Sequence, residues 1–375
     1  MADALLVTSS FLPGRGGIET YLAELSERLS PRLAVFAPAK RAGEPIPSDL
    51  PYPTLGYRGS LLVPSRAVLR AIEQAARDTS SGRVLFGTPW PLALLGPALA
   101  ERGVPYSVIV HGAEVAVPAG VPGIRRLLLR ALEKADVVFP VSHATRRQLE
   151  ALLGAGRDDL PPMPVLRAVV DVSRFRPGAG GDEARRRVGV DPDDRTILCF
   201  GRLIRRKGVH RVIKALPEVS ERVRAPVTLV VAGTGSQEAR LRRLARRTGT
   251  AVRFLGRVNT EEAPAVYDMA DVFVLAVADR WGGREAEGLG VVLLEAAASG
   301  VPCVTGRSGG TPEAVINGTT GFVVNAHRRD QLVHAISSLL IDDELRARMG
   351  AAGRRHVEHE FAGALPDPLL DWLEG

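Results

Sequence analysis

Short apolar runs alternate along this chain with segments whose apolar positions fall on one helix face. Residues 4–8 (ALLVT) have strand length, and Ile18, Leu22, Leu25 and Leu29 then recur at helical spacing. The strand signal returns at VLF (84–86), YSVIV (106–110) and VVFPV (137–141). It restarts at TILCFG (196–201), before a helix face of Val209, Val212, Ile213 and Leu216, and continues through VTLVVAG (227–233), VRFLG (252–256), VFVLAV (272–277) and VPCVT (301–305). Uniformly apolar strands are buried on both faces, and the helix-length segments between them supply the crossovers of parallel sheets. The pattern predicts an α/β fold of two tandem Rossmann-like, doubly wound domains. Ligands of open parallel sheets bind beyond the carboxyl ends of the strands, so two such domains facing each other predict a cleft lined by loops from both.

The Pro- and Gly-rich stretch at 161–183 reads as a linker. It divides the chain into an N-terminal domain over 1–169 and a C-terminal domain over 170–350. Residues 351–375 are expected to form a helix and tail packing back toward the first domain. At 375 residues the chain suits two domains, and with 45% hydrophobic residues each can bury a core. No apolar run approaches the roughly 18 to 20 residues of a spanning helix. The start lacks the basic flank and cleavage site of a secretory signal, so a cytoplasmic protein is expected. Cys199 and Cys303 each lie in β-like runs and read as core thiols.

A net charge of +7 points to an anionic contact, either a phosphorylated ligand or an anionic membrane surface. Nucleic acid is disfavoured, because only 5% of residues are aromatic and none interleave with basic ones. Oligomeric state leaves no trace in the pattern.

The loops after the strands carry the candidate chemistry. In SSFLPGRGGIETY (9–21), Gly16 and Gly17 open a helix where a backbone can approach an anion, or form a plain turn. Glu19 occupies the third glycine's place of a dinucleotide fingerprint, which argues against an oxidoreductase. In FGRLIRRKGVH (200–210), Arg202 and Lys207 bracket a helix start, where cations sit poorly unless an anion is near; together they suit a diphosphate. Arg205 and Arg206 read as solvated surface.

EGLG and the following VVLLEAAASG place Glu287 on a loop and Glu295 two turns into a helix, roughly 10 to 12 Å along it. That spacing suits one extended ligand touched at two places, sugar and ribose diols being natural partners of ionised carboxylates. A purely structural role for them would require hidden basic partners. Gly288 and Gly290 leave backbone N–H groups open to the same ligand. DPDD (191–194) reads as a turn before a strand and not as a metal motif.

RGGIETY, HGAE (111–114), VSHATR (141–146), GRLIRRKG (201–208), AGTGS (232–236), FLGRV (254–258), EGLGVVLLEAAASG (287–300), SGGTPEAV (308–315) and NGTTGFVV (317–324) occur in this order over nearly the whole chain. Together they resemble the family 4 retaining glycosyltransferases of the GT-B fold. The resemblance implies that Gly16 and Gly17 approach a nucleotide-sugar's diphosphate, that Arg202 and Lys207 clamp it, that Glu287 binds the transferred sugar, and that Glu295 binds the ribose. It implies His111 beside that sugar, and backbone contacts to the donor around Gly233, Gly235, Val258, Gly288, Leu289 and Gly290. No cofactor and no metal are implied.

Within the family, RGGIETYL, PLALLGP (91–97) and VHGAEV are most similar to actinobacterial phosphatidylinositol mannosyltransferases, which implies GDP-mannose as donor and an anionic glycolipid as acceptor. IRRLLLRALEK (124–134) then has two readings. With Arg126, Arg130 and Lys134 on one side and Ile124, Leu127, Leu128 and Ala131 on another, it suits a peripheral helix on the inner leaflet or a surface helix packed on its own domain. The alternatives are another nucleotide-sugar with a polysaccharide or small-molecule acceptor, and a non-catalytic nucleotide-sugar-binding protein.

Overall fold

The computed structural model describes the chain except residues 1, 15, 42, 59–61, 117, 155, 281–284, 364, 366 and 375, and the side chains of Ala113 and Ala116. Part of the glycine-rich loop before Glu287 therefore lies outside the described residues. The chain forms two units, Met1–Val169 with Ala364–Gly375, and Val170–Gly363.

Unit 1 is built on β1 (Ala4–Val7), α1 (Gly17–Arg28), β2 (Leu33–Pro38), β3 (Thr54–Tyr57), α2 (Arg66–Thr79), β4 (Arg83–Phe86), β5 (Tyr106–Val110), α3 (Pro122–Glu133), β6 (Val138–Pro140) and α4 (His143–Leu153). The strands form one six-stranded parallel sheet in the order β3-β2-β1-β4-β5-β6. The order reverses between β1 and β4, the switch point where loops diverge and ligands bind. Every residue of β1 and β5 is buried, as expected of strands covered on both faces. The Ser65 hydroxyl caps α2 by accepting from Val68 N–H at 3.2 Å, and Ser142 caps α4 at 3.1 Å.

In α3 the expected apolar side divides. Leu128, Ala131 and Leu132 are buried against the core, whereas Leu127 is 56% exposed.

Unit 2 contains α5 (Gly181–Val188), β7 (Arg195–Phe200), α6 (Val209–Val223), β8 (Val227–Ala232), α7 (Glu238–Thr248), β9 (Val252–Gly256), β10 (Val272–Leu275), α8 (Val291–Ala298), β11 (Cys303–Gly306), β12 (Gly321–Val324), α9 (Arg329–Ile341) and α10 (Asp343–Glu360). Its sheet repeats the topology in the order β9-β8-β7-β10-β11-β12, all parallel, with the switch point between β7 and β10. The predicted face of α6, namely Val209, Val212, Ile213 and Leu216, is buried in the core. DPDD forms the turn before β7, where Asp191 accepts from Asp193 N–H at 3.0 Å. Cys199 and Cys303 are buried free thiols, and burial pushes Cys199 up to about 12.

The C-terminal region departs from the expected division at 350. Helix α10 begins at Asp343 and packs on α8 within unit 2. Its Gly350 lies so close to Gly300 that an added Cβ would stand 2.0 Å from the Gly300 carbonyl oxygen, and Arg354 donates to the Ala298 carbonyl. The change of unit therefore falls after Gly363. The last helix, α11 (Asp367–Glu374), is part of unit 1: Leu369, Trp372 and Leu373 are buried, Trp372 meets Phe139 edge-on at 6.3 Å, and Arg83 lies over its ring. Among the described residues no helix is long and apolar enough to cross a membrane.

Candidate functional site

A cluster of buried and half-buried charges in unit 2 lies beyond the carboxyl ends of β7 and β10. After Phe200 the chain passes Gly201 and Arg202, makes a single 3-10 turn at Arg205–Lys207, and enters α6 through Gly208 in the left-handed region (φ +76°). An added Cβ at Gly208 would stand 1.8 Å from the Ala276 carbonyl oxygen, so only glycine lets this turn rest on the segment after β10. That contact brings the basic turn against Glu287. Lys207 Nζ lies 2.9 Å from Glu287 Oε1, and Arg206 Nη1 donates to Oε2.

Arg206 was expected in solvent, yet it is only 8% exposed. The tight turn leaves Arg205 outside and directs both Arg206 and Lys207 inward, where the buried Glu287 carboxylate offsets their desolvation. Glu287 thus has the hidden basic partners that its sequence context does not reveal. Burial alone would raise its pKa, but Lys207 and Arg206 together hold it below the usual carboxylate range. Burial lowers the Lys207 ammonium from its ordinary value, and the charges of Arg206 and Arg202 add to this against Glu287. Arg202 is exposed and forms no ion pair among the described residues. The backbone of Glu287 is also fixed, its N–H donating to Ser308 Oγ at 3.0 Å while that hydroxyl donates to Asp279.

Glu295 is half-buried on α8, five residues into a helix that starts only after Gly290. It therefore lies about 6 Å beyond Val291 by helical rise, one turn in and not two. It accepts from the Tyr267 hydroxyl. Burial raises its pKa above the ordinary value, with the Tyr267 bond and the Arg174 charge opposing. Tyr267 itself is stacked on Phe200 at 5.1 Å. No side chain caps α8 at Gly290; Leu293 N–H donates to the Gly290 carbonyl at 2.8 Å, which leaves the N–H groups of Val291 and Val292 for an anion.

Gly288 is half-buried and Leu289 buried between these carboxylates. Gly233 (φ +115°) has a structural reason of its own, because an added Cβ would stand 2.1 Å from the Gly201 carbonyl oxygen. Gly235 follows on the same loop, and Val258 is half-buried after β9.

In unit 1, His111 follows β5 and is half-buried. Its Nε2 lies 3.0 Å from the Gly87 carbonyl oxygen, its ring meets Tyr21 edge-on at 5.2 Å, and burial lowers its pKa against the pull of Glu114, Gly87 and Glu19. Glu114 fixes the turn by accepting from the N–H groups of His111 and Gly112. At the start of α1, the space beside Gly16 holds the buried Glu19 carboxylate, which pairs with Arg41 at 2.9 Å, while Gly17 is exposed, with open space where a Cβ would stand.

Arg206, Tyr267, Ser308 and Asp279 escaped the sequence reading. The basic run around Arg206 was visible, but not which of its members turns inward; Tyr267 carries no local signal. Among the described residues no group of three or more His, Cys, Asp or Glu side chains is placed to hold a metal ion.

Comparison with known proteins places this arrangement. Residues 181–356 match the model for glycosyl transferases group 1, and residues 15–163 match that for glycosyltransferase family 4. The chain is 37% identical, over 100% of its length and 99% of the relative's, to the GDP-mannose-dependent alpha-(1-6)-phosphatidylinositol monomannoside mannosyltransferase of Mycobacterium tuberculosis. It is 35% identical, over 96% of this chain and 94% of the other, to the GDP-mannose-dependent monoacylated alpha-(1-6)-phosphatidylinositol monomannoside mannosyltransferase of Corynebacterium glutamicum. Its fold matches that of Anabaena HepE, solved in complex with UDP and glucose, with a TM-score of 0.82 at 19% identity over 100% of both chains. With two doubly wound units, both family models matched in order and full-length relatives above 30% identity, the chain belongs to glycosyltransferase family 4 and is a glycosyltransferase of the GT-B fold.

Proposed function

We propose that the protein moves mannose from GDP-mannose, with retention of configuration, to a hydroxyl of a phosphatidylinositol mannoside-type glycolipid. The observation that carries the reading is the meeting of Lys207 and Glu287 beyond the end of β7, with Arg202 exposed on the same loop and Glu295 on the helix that follows. As the glycosidic C–O bond breaks, negative charge grows on the diphosphate, and fixed cations stabilise that state more than the ground state. We assign this work to Arg202 and Lys207, the sugar hydroxyls to Glu287 and the ribose diol to Glu295. The N–H groups of Val291 and Val292 at the start of α8 and the backbone at Gly233, Gly235 and Val258 complete the donor side. In unit 1, His111 is assigned to the sugar and Gly17, with Gly16, to the diphosphate. The names of the two bacterial relatives support GDP-mannose and the lipid acceptor.

The acceptor implies work at a membrane surface. The exposed side of α3 supports this, since Leu127 and Val121 stand out among Arg125, Arg126, Arg130 and Lys134.

Incubation of the purified enzyme with GDP-mannose and phosphatidylinositol mannosides, followed by NMR of the product anomer, tests the reading. An α-linked mannolipid supports it; an inverted product, or consumption of a different nucleotide-sugar only, overturns it. No metal is assigned a step, so turnover is expected to be unchanged in EDTA. Lys207→Ala is expected to lower kcat by about a hundred- to a thousandfold, as loss of one charge-stabilising donor does.

A further inference from the structure

We propose that Arg206 is a positioning residue: it keeps the Glu287 carboxylate in place when Lys207 turns from it to the donor's diphosphate. The inference rests on the donor assignment above. In this structure Lys207 and Glu287, assigned to different parts of the donor, neutralise each other at 2.9 Å. Lysine carries its charge on a flexible four-carbon stem and can swing toward a diphosphate. The carboxylate it leaves is only 9% exposed, and a buried carboxylate without a counter-charge takes up a proton or moves.

Arg206 is placed to prevent both. It bonds the oxygen that Lys207 does not use, so its contact survives the departure of the lysine. It is also held where it is. Its carbonyl accepts from Ala278 N–H, and its buried Nε, which has no hydrogen-bond partner, lies 3.7 Å from Glu285 Oε1. Glu285 is in turn paired with Arg280 at 2.8 Å. Among the described residues, the charged groups around Glu287 are Arg206 and Lys207 on the basic turn, with Arg202 before them, Glu285 and Arg280 on the preceding loop, and Asp279 through Ser308. Once Lys207 is engaged elsewhere, Arg206 is the one cation in this group still bonded to Glu287.

Wild type, Arg206→Met and Arg206→Lys are compared by calorimetric titration with GDP and by turnover at saturating GDP-mannose from about pH 4 to about pH 9. Saturation removes the contribution of Glu295, which acts in donor binding. In Arg206→Met, GDP affinity is expected to stay within about twofold of wild type, since the nucleotide contacts remain. Its kcat is expected to fall about ten- to a hundredfold through displacement of the sugar-binding carboxylate. The acidic limb of its kcat profile should rise by about one pH unit or more, because an opposite charge has been removed from beside a carboxylate. Arg206→Lys should restore most of the turnover and the wild-type limb.

A Met variant with wild-type kcat and limb overturns the proposal, and so does one whose kcat falls while the limb stays put, which is the mark of a merely structural role. Should Arg206→Met fail to fold, Arg206→Gln takes its place in the same comparison. If wild type itself binds neither GDP nor GDP-mannose, the donor assignment falls and this inference with it; if wild type binds and turns over, a contrary variant result overturns this inference alone.

Discussion

Glu287 and Glu295 carry the same side chain in opposite electrostatic settings. Two cations hold the first below the usual carboxylate range against its burial, whereas burial lifts the second above it. If Glu295 accepts ribose hydroxyls as a carboxylate, GDP affinity will fall as pH is lowered through its raised pKa, because the protonated form must first lose its proton. Glu295→Gln is expected to weaken GDP binding about ten- to a hundredfold, the weight of a charged hydrogen bond, and to remove that pH dependence. Calorimetric titrations across pH check both. His210, at the start of α6, is pushed down to about 4 by burial and by Arg211, Lys214, Arg205 and Arg240. The native state then binds fewer protons than the unfolded chain between about pH 4 and the ordinary histidine value near 6.5. Its contribution to stability is therefore present above that value and lost as pH falls through about 4. Urea unfolding of His210→Gln should show a flatter pH dependence in this window. At this scale the sequence disclosed the ends of the site and not its interior. Arg202, Lys207, Glu287 and Glu295 follow from residue type and loop position, but the inward turn of Arg206 and the bond from Tyr267 depend on tertiary packing.

Element by element, the long apolar runs were legible because burial on both faces leaves no polar alternation to confuse them. β3 was not, since its four residues (TLGY) are half-buried or exposed and include a glycine. β2 was missed too, although fully buried, because LAVFAP ends in proline and is diluted by two alanines. α10 was legible only in its second half, where Met349 and Val357 mark the buried side; its reach onto α8 depends on Gly350, whose role is to be absent as a side chain. Gly350→Ala is expected to destabilise unit 2 by about 1 to 3 kcal/mol through overpacking, read from the midpoint of urea unfolding. The exposed side of α3 carries a prediction of another kind. If it meets an anionic leaflet, replacing Arg126 and Arg130 with alanine should cost about 1 kcal/mol of vesicle binding each, and the loss should vanish on neutral vesicles; cosedimentation measures it.

Across the whole molecule, two sheets with the same strand order place their loops at equivalent switch points, and this repetition is what made the architecture readable from alternation alone. The division of the chain was harder to read at its far end, because α10 carries unit 2 beyond residue 350 before the chain rejoins unit 1. That return has a consequence for biosynthesis. Unit 1 is completed only after all of unit 2 has been made: when residues 1–169 have left the ribosome, Phe139 still lacks the indole of Trp372 that will cover it. Through the translation of the following 194 residues, Val170–Gly363, that apolar surface waits for the short helix that covers it.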